Sequence, residues 1–459
     1  MRKKIGAALV GLAALSLTLT ACGGGSDDGG SGETGGALDT SAATGDVNYW
    51  LWDASQLPAY QACADAFKTV NPNVNIKISQ YAWDDYWSKI TNGFVAGDAP
   101  DVFTDHLSKY GQFITDEQLF ALDDTLTKDN FNVDQYQTGL ADLWKGEDGK
   151  RYGLPKDFDT VGLFYNTKMV TDGGFTADQL GQLKWNPTDG GDFEKVVAHL
   201  TVDNNGVRGD EAGFDKSKVK VYGLGLDGGS GSGNGQTQWS MYTGSNGFTY
   251  TDKNPWGTKY NYDNPAFQQT ISWYKGLIDK GYMPSVAAVT GQDSSSIFGA
   301  GKYAMLTNGS WQTNALFGAK GIEVGLAPTP IGPSGNRASM YNGLADSVWV
   351  GSKNKPAAVK WVEYLGSPDC QNIVGDKAIV FPAIPSATEK AIAAWKAKDI
   401  DVSPFTNQVT DKTTFLFPIT NHAAEIEGIM HPAMDAVLSG SQPVESLTEA
   451  NTQVNGLFQ

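Results

Sequence analysis

VNYWLWDASQLPAYQACADAFKTVNPNVNIKISQYAWDDYWSKITNGFVAGDAPDVFTDH, residues 47–106, decides the fold. VNYWLW at 47–52 is short and largely apolar and reads as a buried strand. Tyr60, Cys63, Phe67 and Val70 recur at spacings of three, four and three, which predicts a helix over 57–70, stopped by Asn71-Pro72. Val74, Ile76 and Ile78 alternate, so 73–79 is a second strand. Tyr86, Ile90 and Phe94 mark another helix face, closed by Gly97, and PDVFTD at 100–105 is a third short strand. This βαβαβ order requires parallel strands, right-handed crossovers and helices on both faces of the sheet, an α/β fold. Ligands in such open sheets sit beyond the carboxyl ends of the strands. Those ends carry Trp52 and Asp53, Tyr81, and Asp105 with His106.

Downstream, GLPKDFDTVGLFYN (153–166) is one strand-like run with two Asp, and 201–215 and 228–236 are loops. IFGAGKYAMLTNGSW (297–311) reads as a helix end, a strand and a turn. GLAPTPIGP (325–333) is punctuated by proline and therefore extended. ADSVWVGS (345–352) is another strand, and a helix opens at SPDCQ (367–371) with Ser367 as cap and Pro368 at the first position. The chain is helical in pattern from His422 to Leu457.

The N-terminus sets the compartment. Arg2, Lys3 and Lys4 precede an uncharged apolar run at 5–21, and LTAC at 19–22 follows. This is a signal peptide over 1–21, too short and wrongly flanked for a membrane span. Small residues ending at Cys22 resemble the lipobox of bacterial lipoproteins, which implies lipidation of Cys22 and anchoring to the outer face of the cytoplasmic membrane. Residues 22–45 are rich in Gly, Ser, Thr and Asp and read as a flexible tether.

The 459 residues are too many for one compact unit, so at least two domains are expected. The formal charge of −17 argues against nucleic-acid binding, which needs phosphates neutralised, and against a polybasic membrane clamp. The 55 Gly and 13 Trp suit loops that lay flat rings against a neutral polar ligand, although most of these Trp are core. Outside the cytoplasm Cys63 and Cys370 are permitted to pair, and two separate buried thiols are the alternative.

Enzyme signatures fail. GxSxG and the Walker pattern are absent, and the two GxGxxG matches, at 30–35 and 223–228, lie in the tether and before a second glycine run rather than a helix. The His residues 106, 199, 422 and 431 lack zinc-helix spacing. Asp203, Asn205 and Gly206 faintly resemble a calcium loop but lack its closing carboxylate, so a polar turn is the preferred reading. No metal and no cofactor is expected. Asp157 and Asp159 share a face of an extended segment. They suit hydrogen bonds to sugar hydroxyls, or, together with Asp53, the paired acids of a secreted glycoside hydrolase or lyase.

Taken in order, the lipobox, GDAPDVF (97–103), YGLPKDFDTVGLFYN (152–166), FGAGKYAMLTNGSW (298–311) and SPDCQ (367–371) resemble the extracellular solute-binding proteins of carbohydrate ABC importers, of the maltodextrin and multiple-sugar type. The resemblance spans the mature chain. It implies a periplasmic-binding-protein-like architecture: two α/β lobes joined by three hinge segments, near 155–158, 327–333 and 376–384, with the cleft between them. The first lobe would be 46–156 plus 329–378 and the second 157–328 plus 379–459. That layout puts Cys63 and Cys370 in one lobe and favours their disulfide. It implies a monomer that captures an oligosaccharide and delivers it to ABC permease subunits, without catalysis. Carried over by position, ligand contacts fall on Trp52, Asp53, Asp105, His106, Asp159, Trp239, Trp311, Asn342, Gly343, Phe415 and Phe417. Trp50, Trp349 and Trp361 read as core. The stretch 228–260 departs from the maltodextrin pattern. A non-sugar solute on the same fold is the other alternative.

Overall fold

The computed structural model describes residues 34–228 and 231–459. The signal peptide, Cys22 and the first part of the tether lie outside the described residues. The strands are β1 (Gly45–Leu51), β2 (Val74–Gln80), β3 (Val102–His106), β4 (Leu154–Asp159), β5 (Val161–Asn166), β6 (Val202–Asp203), β7 (Val219–Leu224), β8 (Tyr303–Gly309), β9 (Val324–Ala327), β10 (Ser339–Val348), β11 (Phe381–Pro382) and β12 (Thr414–Leu416). They form two mixed sheets. One runs β11-β4-β10-β3-β1-β2, with β12 on β10; the other runs β6-β7-β8-β5-β9.

The opening unit follows its sequence pattern. β1 pairs in parallel with both β2 and β3. The helix Leu57–Val70 buries Ala59, Tyr60, Cys63, Ala64 and Phe67, whereas Val70, at its last turn, is exposed. Each large buried side chain there contributes roughly 1.5–3 kcal/mol. The helix Trp83–Ala96 opens with Asp84 and Asp85 against its positive end and stops at Gly97, whose left-handed φ of 74° costs a Cβ-less residue nothing. Cys63 and Cys370 are joined by a disulfide with their Cα atoms 5.1 Å apart, tying this helix to Pro368–Lys377.

Three expectations need correction. The run 153–166 is not one strand: β4 and β5 belong to different sheets, and the chain passes between them at Thr160. All twelve residues of the two strands are buried, so composition does not mark the switch. The chain does not leave the first sheet at 376–384. β11 pairs with β4, the helix Pro385–Lys396 packs on Pro368–Lys377, and β12 still pairs with β10. The tether does not reach 45. Gly35 bridges Ala121, Leu38 N–H donates to Thr125 Oγ1, Lys128 Nζ donates to Leu38 O, and Thr40 Oγ1 donates to Asp129. Polar side chains do not free a backbone whose own N–H and C=O groups find partners on the helix Asp123–Lys128.

Candidate functional site

The site grows from the carboxyl ends of β1 and β3, from β4 where the chain changes sheet, and from β10. The antiparallel register of β10 sets Leu344 opposite His106 and Asn342 opposite Asp159, so three strand ends meet. Trp52 follows β1, and Gln80 Nε2 at the end of β2 donates to its carbonyl at 2.8 Å. The next residues after β2 lead directly into Trp83, the first residue of its helix.

His106 is the centre of an aromatic box. Its ring lies 5.3 Å from Phe417, 5.4 Å from Trp83 and 6.2 Å from Trp52, all edge-on. Trp52 is walled in further by Trp83, Tyr86 and Trp87 at 5.1–5.4 Å. Trp83, with Val70 and Val95, makes up the exposed large apolar residues of the described chain, and it is the aromatic among them. An exposed indole at a ligand edge is informative where an exposed aliphatic is ordinary.

A polar chain crosses beneath these rings. Burial pushes the His106 imidazole down to about 3, with Lys109 adding to it, so the ring is neutral at pH 7. Its Nδ1 accepts from Ser108 N–H at 3.1 Å and lies 2.8 Å from Ser108 Oγ, and Nε2 lies 2.7 Å from Asn342 Nδ2. Asn342 Nδ2 donates to Asp159 Oδ2 at 3.3 Å, and Gln236 Nε2 donates to Asp159 Oδ1 at 2.9 Å. Gln236 is held by its neighbours: Thr237 Oγ1 donates to Asp227 Oδ2 at 2.7 Å, and Thr307 Oγ1 of β8 donates to Thr237 O at 2.6 Å. Burial, then the nearby Asp157 charge, raise the Asp159 carboxyl well above its ordinary range. Asn342 Oδ1 and Asp157 Oδ2 are buried with no protein partner. Leaving such atoms unpaired costs about 1–3 kcal/mol each.

The other expected residues are placed as follows. Asp53 is partly exposed, and its Oδ1 accepts from Ser55 N–H and Oγ. Asp105 is sealed beneath the sheet edge, accepting from His106 N–H at 2.8 Å and Ser347 Oγ at 3.2 Å, and burial pushes it up to about 8. Trp311 is half-buried one turn beyond β8, where Ser310 N–H donates to Thr160 O next to Asp159. Its ring lies over Gly309: a Cβ there would sit 1.8 Å from it. Trp239 does not face a ligand. It is fully buried against Tyr250 and Phe267, because its neighbour Gly235 lets the ring fold inward. Gly343 turns away, towards Leu140. Phe415 packs on Gly244 and Tyr250 and lines a separate hollow. Asp203, at the calcium-like loop, accepts from the backbone N–H groups of Asn205, Val207 and Asp215, which consumes it as a turn. Trp83 and Gln236 escaped the sequence reading. The usable signal for Trp83 was a Trp immediately past the carboxyl end of a strand.

Residues 62–401 match the family described as bacterial extracellular solute-binding protein, and the chain belongs to it. A putative binding protein of Brucella abortus (strain 2308) is 25% identical over 439 residues, 92% of this chain and 96% of that one. The galactooligosaccharide-binding protein of Bacillus subtilis (strain 168) is 23% identical over 456 residues, 97% of this chain and 95% of that one. In structure, an ABC substrate-binding protein from Listeria monocytogenes in complex with cycloalternan has the same fold, with a TM-score of 0.76, 19% identity, and 90% and 99% of the two chains covered.

Proposed function

We propose that this protein captures an oligosaccharide in the cleft where its two sheets meet and delivers it to the permease of an ABC importer. The observation that carries this is the exposed face of Trp83 standing over a buried polar chain, His106–Asn342–Asp159–Gln236, with unpartnered acceptors. Sugar rings need this combination: an apolar face to stack on and fixed polar atoms to read the hydroxyls. The family membership and the names of the relatives support it.

Ligand contacts are assigned to Trp83, Trp52, Asp53, His106, Asp159, Asn342, Phe417, Gln236 and Trp311. The two sheets are read as cores of two lobes that pass into one another at Thr160, between Ala327 and Ser339, and after Leu416. Ligand touching both lobes shifts the population towards closure, and no bond is broken. A family of extracellular solute-binding proteins is extracytoplasmic. The lipobox supports an anchor at Cys22, and we take the protein to act as a monomer.

The test is a thermal-shift screen of the mature chain against oligosaccharides, since a ligand that binds only the folded state raises Tm by mass action. A shift with one sugar class, and that sugar recovered intact, supports capture. New reducing ends would point instead to hydrolysis by Asp157, Asp159 or Asp53. No shift with any sugar would move the ligand to another solute class.

A further inference from the structure

Away from the aromatic box there is a hollow of about 400 Å³ lined by Gly244 and Ser245, by Ser334, Asn336, Arg337 and Ala338, and by residues 411–415. Its walls come from three places: the helix Ser240–Ser245, the segment between β9 and β10, and the segment that ends in β12. The second passes from the second sheet to the first, and the third joins β11 to β12 within the first sheet.

The charges in this hollow are unmatched. Arg337 gives its guanidinium to two neutral carbonyls, Thr329 O and Gly181 O. Burial disfavours its charged form, and the single carboxylate of the lining, Asp411, acts on it only from beyond ion-pair distance. Lys412 follows the helix Ser403–Thr410 in a left-handed conformation, φ 56°, and its ammonium forms no hydrogen bond or ion pair among the described residues. Two cations with no carboxylate on them, beside the hydroxyls of Ser334, Thr413 and Thr414 and the amide of Asn336, match an oxyanion. The volume exceeds that of a bare inorganic ion and leaves room for a short carbon skeleton against Phe415.

We propose that this hollow is a second ligand site, for a small organic anion bearing a carboxylate or a phosphate. The anion would bridge Arg337, just before β10, and Lys412, just before β12, two strands paired in the first sheet.

The probes are citrate and glucose 6-phosphate, titrated calorimetrically into the mature chain without sugar, with chloride at matched ionic strength as control. Saturable binding of one probe is expected, weakened at least tenfold by Lys412→Asn. Asn tolerates the left-handed backbone, and the lysine side chain holds nothing else in place, so this variant keeps the fold. Arg337→Gln should weaken binding too, and its Tm separates lost anion contact from the loss of the Thr329 and Gly181 bonds. Absence of saturable binding by both probes, or binding unchanged in Lys412→Asn, overturns the site. The anion titration does not depend on which solute fills the main cleft, so failure of the sugar assignment would be seen separately.

Discussion

Gln236 donates a 2.9 Å hydrogen bond to Asp159, joining the loop after β7 of the second sheet to the last residue of β4 in the first. Asp159 immediately precedes Thr160, where the chain changes sheet. The contact therefore ties a ligand-edge carboxyl to the relative position of the two sheets. Gln236→Ala removes it while leaving Asp159 bonded to Asn342. We expect three- to thirtyfold weaker sugar binding with Tm nearly unchanged, measured by calorimetry. Undiminished affinity would exclude Gln236 from the closed site.

Trp83→Ala tests the stacking surface. The indole is 36% exposed, so its loss costs the fold little, whereas an aromatic platform beneath a sugar is worth more than its area alone. Affinity should fall at least tenfold, and Tm by no more than a few degrees. Trp52→Ala should instead lower Tm, since Trp52 is packed among Trp83, Tyr86, Trp87 and His106.

The contrast between Trp83 and Trp239 shows what the sequence carries. Both sit beside small or polar residues, and local composition ranks Trp239, next to a glycine run, as the better ligand residue. The structure buries Trp239 through the inward fold at Gly235 and leaves Trp83 exposed at the end of β2. The opening βαβαβ unit was legible because helix spacing, strand alternation and the stops at Asn71-Pro72 and Gly97 all act within a few residues. The meeting of His106, Asn342 and Asp159 followed from that unit only in part. Its other half depends on the antiparallel register of β10, a pairing set by contacts more than 180 residues apart in sequence. The sheet change at Thr160 leaves no local mark, since every residue of β4 and β5 is buried and Thr160 alone separates them.

Gly309→Ala should reproduce Trp311→Ala. A Cβ at 309 would lie 1.8 Å from the Trp311 ring and must expel it. If Trp311 stacks on sugar, both variants lose affinity, and Gly309→Ala also shifts the tryptophan emission. Affinity retained in both would remove Trp311 from the site.

The disulfide gives a stability prediction independent of ligand. It closes a separation of 307 residues, for which the chain-entropy account places the stabilisation at about 5–6 kcal/mol, with measured bridges often nearer 2–4 kcal/mol. The paired variant Cys63→Ser with Cys370→Ser should lower the unfolding free energy, read from a denaturant titration, by about 2–6 kcal/mol. Sugar affinity should hold, because neither cysteine touches the aromatic box. Unchanged unfolding would mean that the bridge constrains nothing the packing of the two helices does not already hold.

The pH dependence of stability follows from two buried neighbours that titrate in opposite senses. His106 is depressed to about 3, so it remains neutral in the fold while the unfolded chain takes up a proton near 6.5. Its contribution is complete above 6.5 and is lost as pH falls towards 3. Asp105 is raised to about 8 by burial, so it stays protonated in the fold while the unfolded chain releases its proton near 3.9. That contribution is complete below 3.9 and is lost as pH rises to about 8. Between 3.9 and 6.5 the two slopes oppose each other. Between 6.5 and 8 His106 is silent and Asp105 remains, joined up to about 7 by Asp157 and Glu363, which burial also raises. Chemical denaturation should therefore show stability falling as pH rises from 6.5 to 8. Asp105→Asn keeps an acceptor for the His106 N–H, has no proton to lose, and should flatten that fall. A slope as steep in Asp105→Asn as in the parent would show that Asp105 is ionised in the fold at neutral pH, with Ser347 and the His106 N–H sufficient to hold its charge.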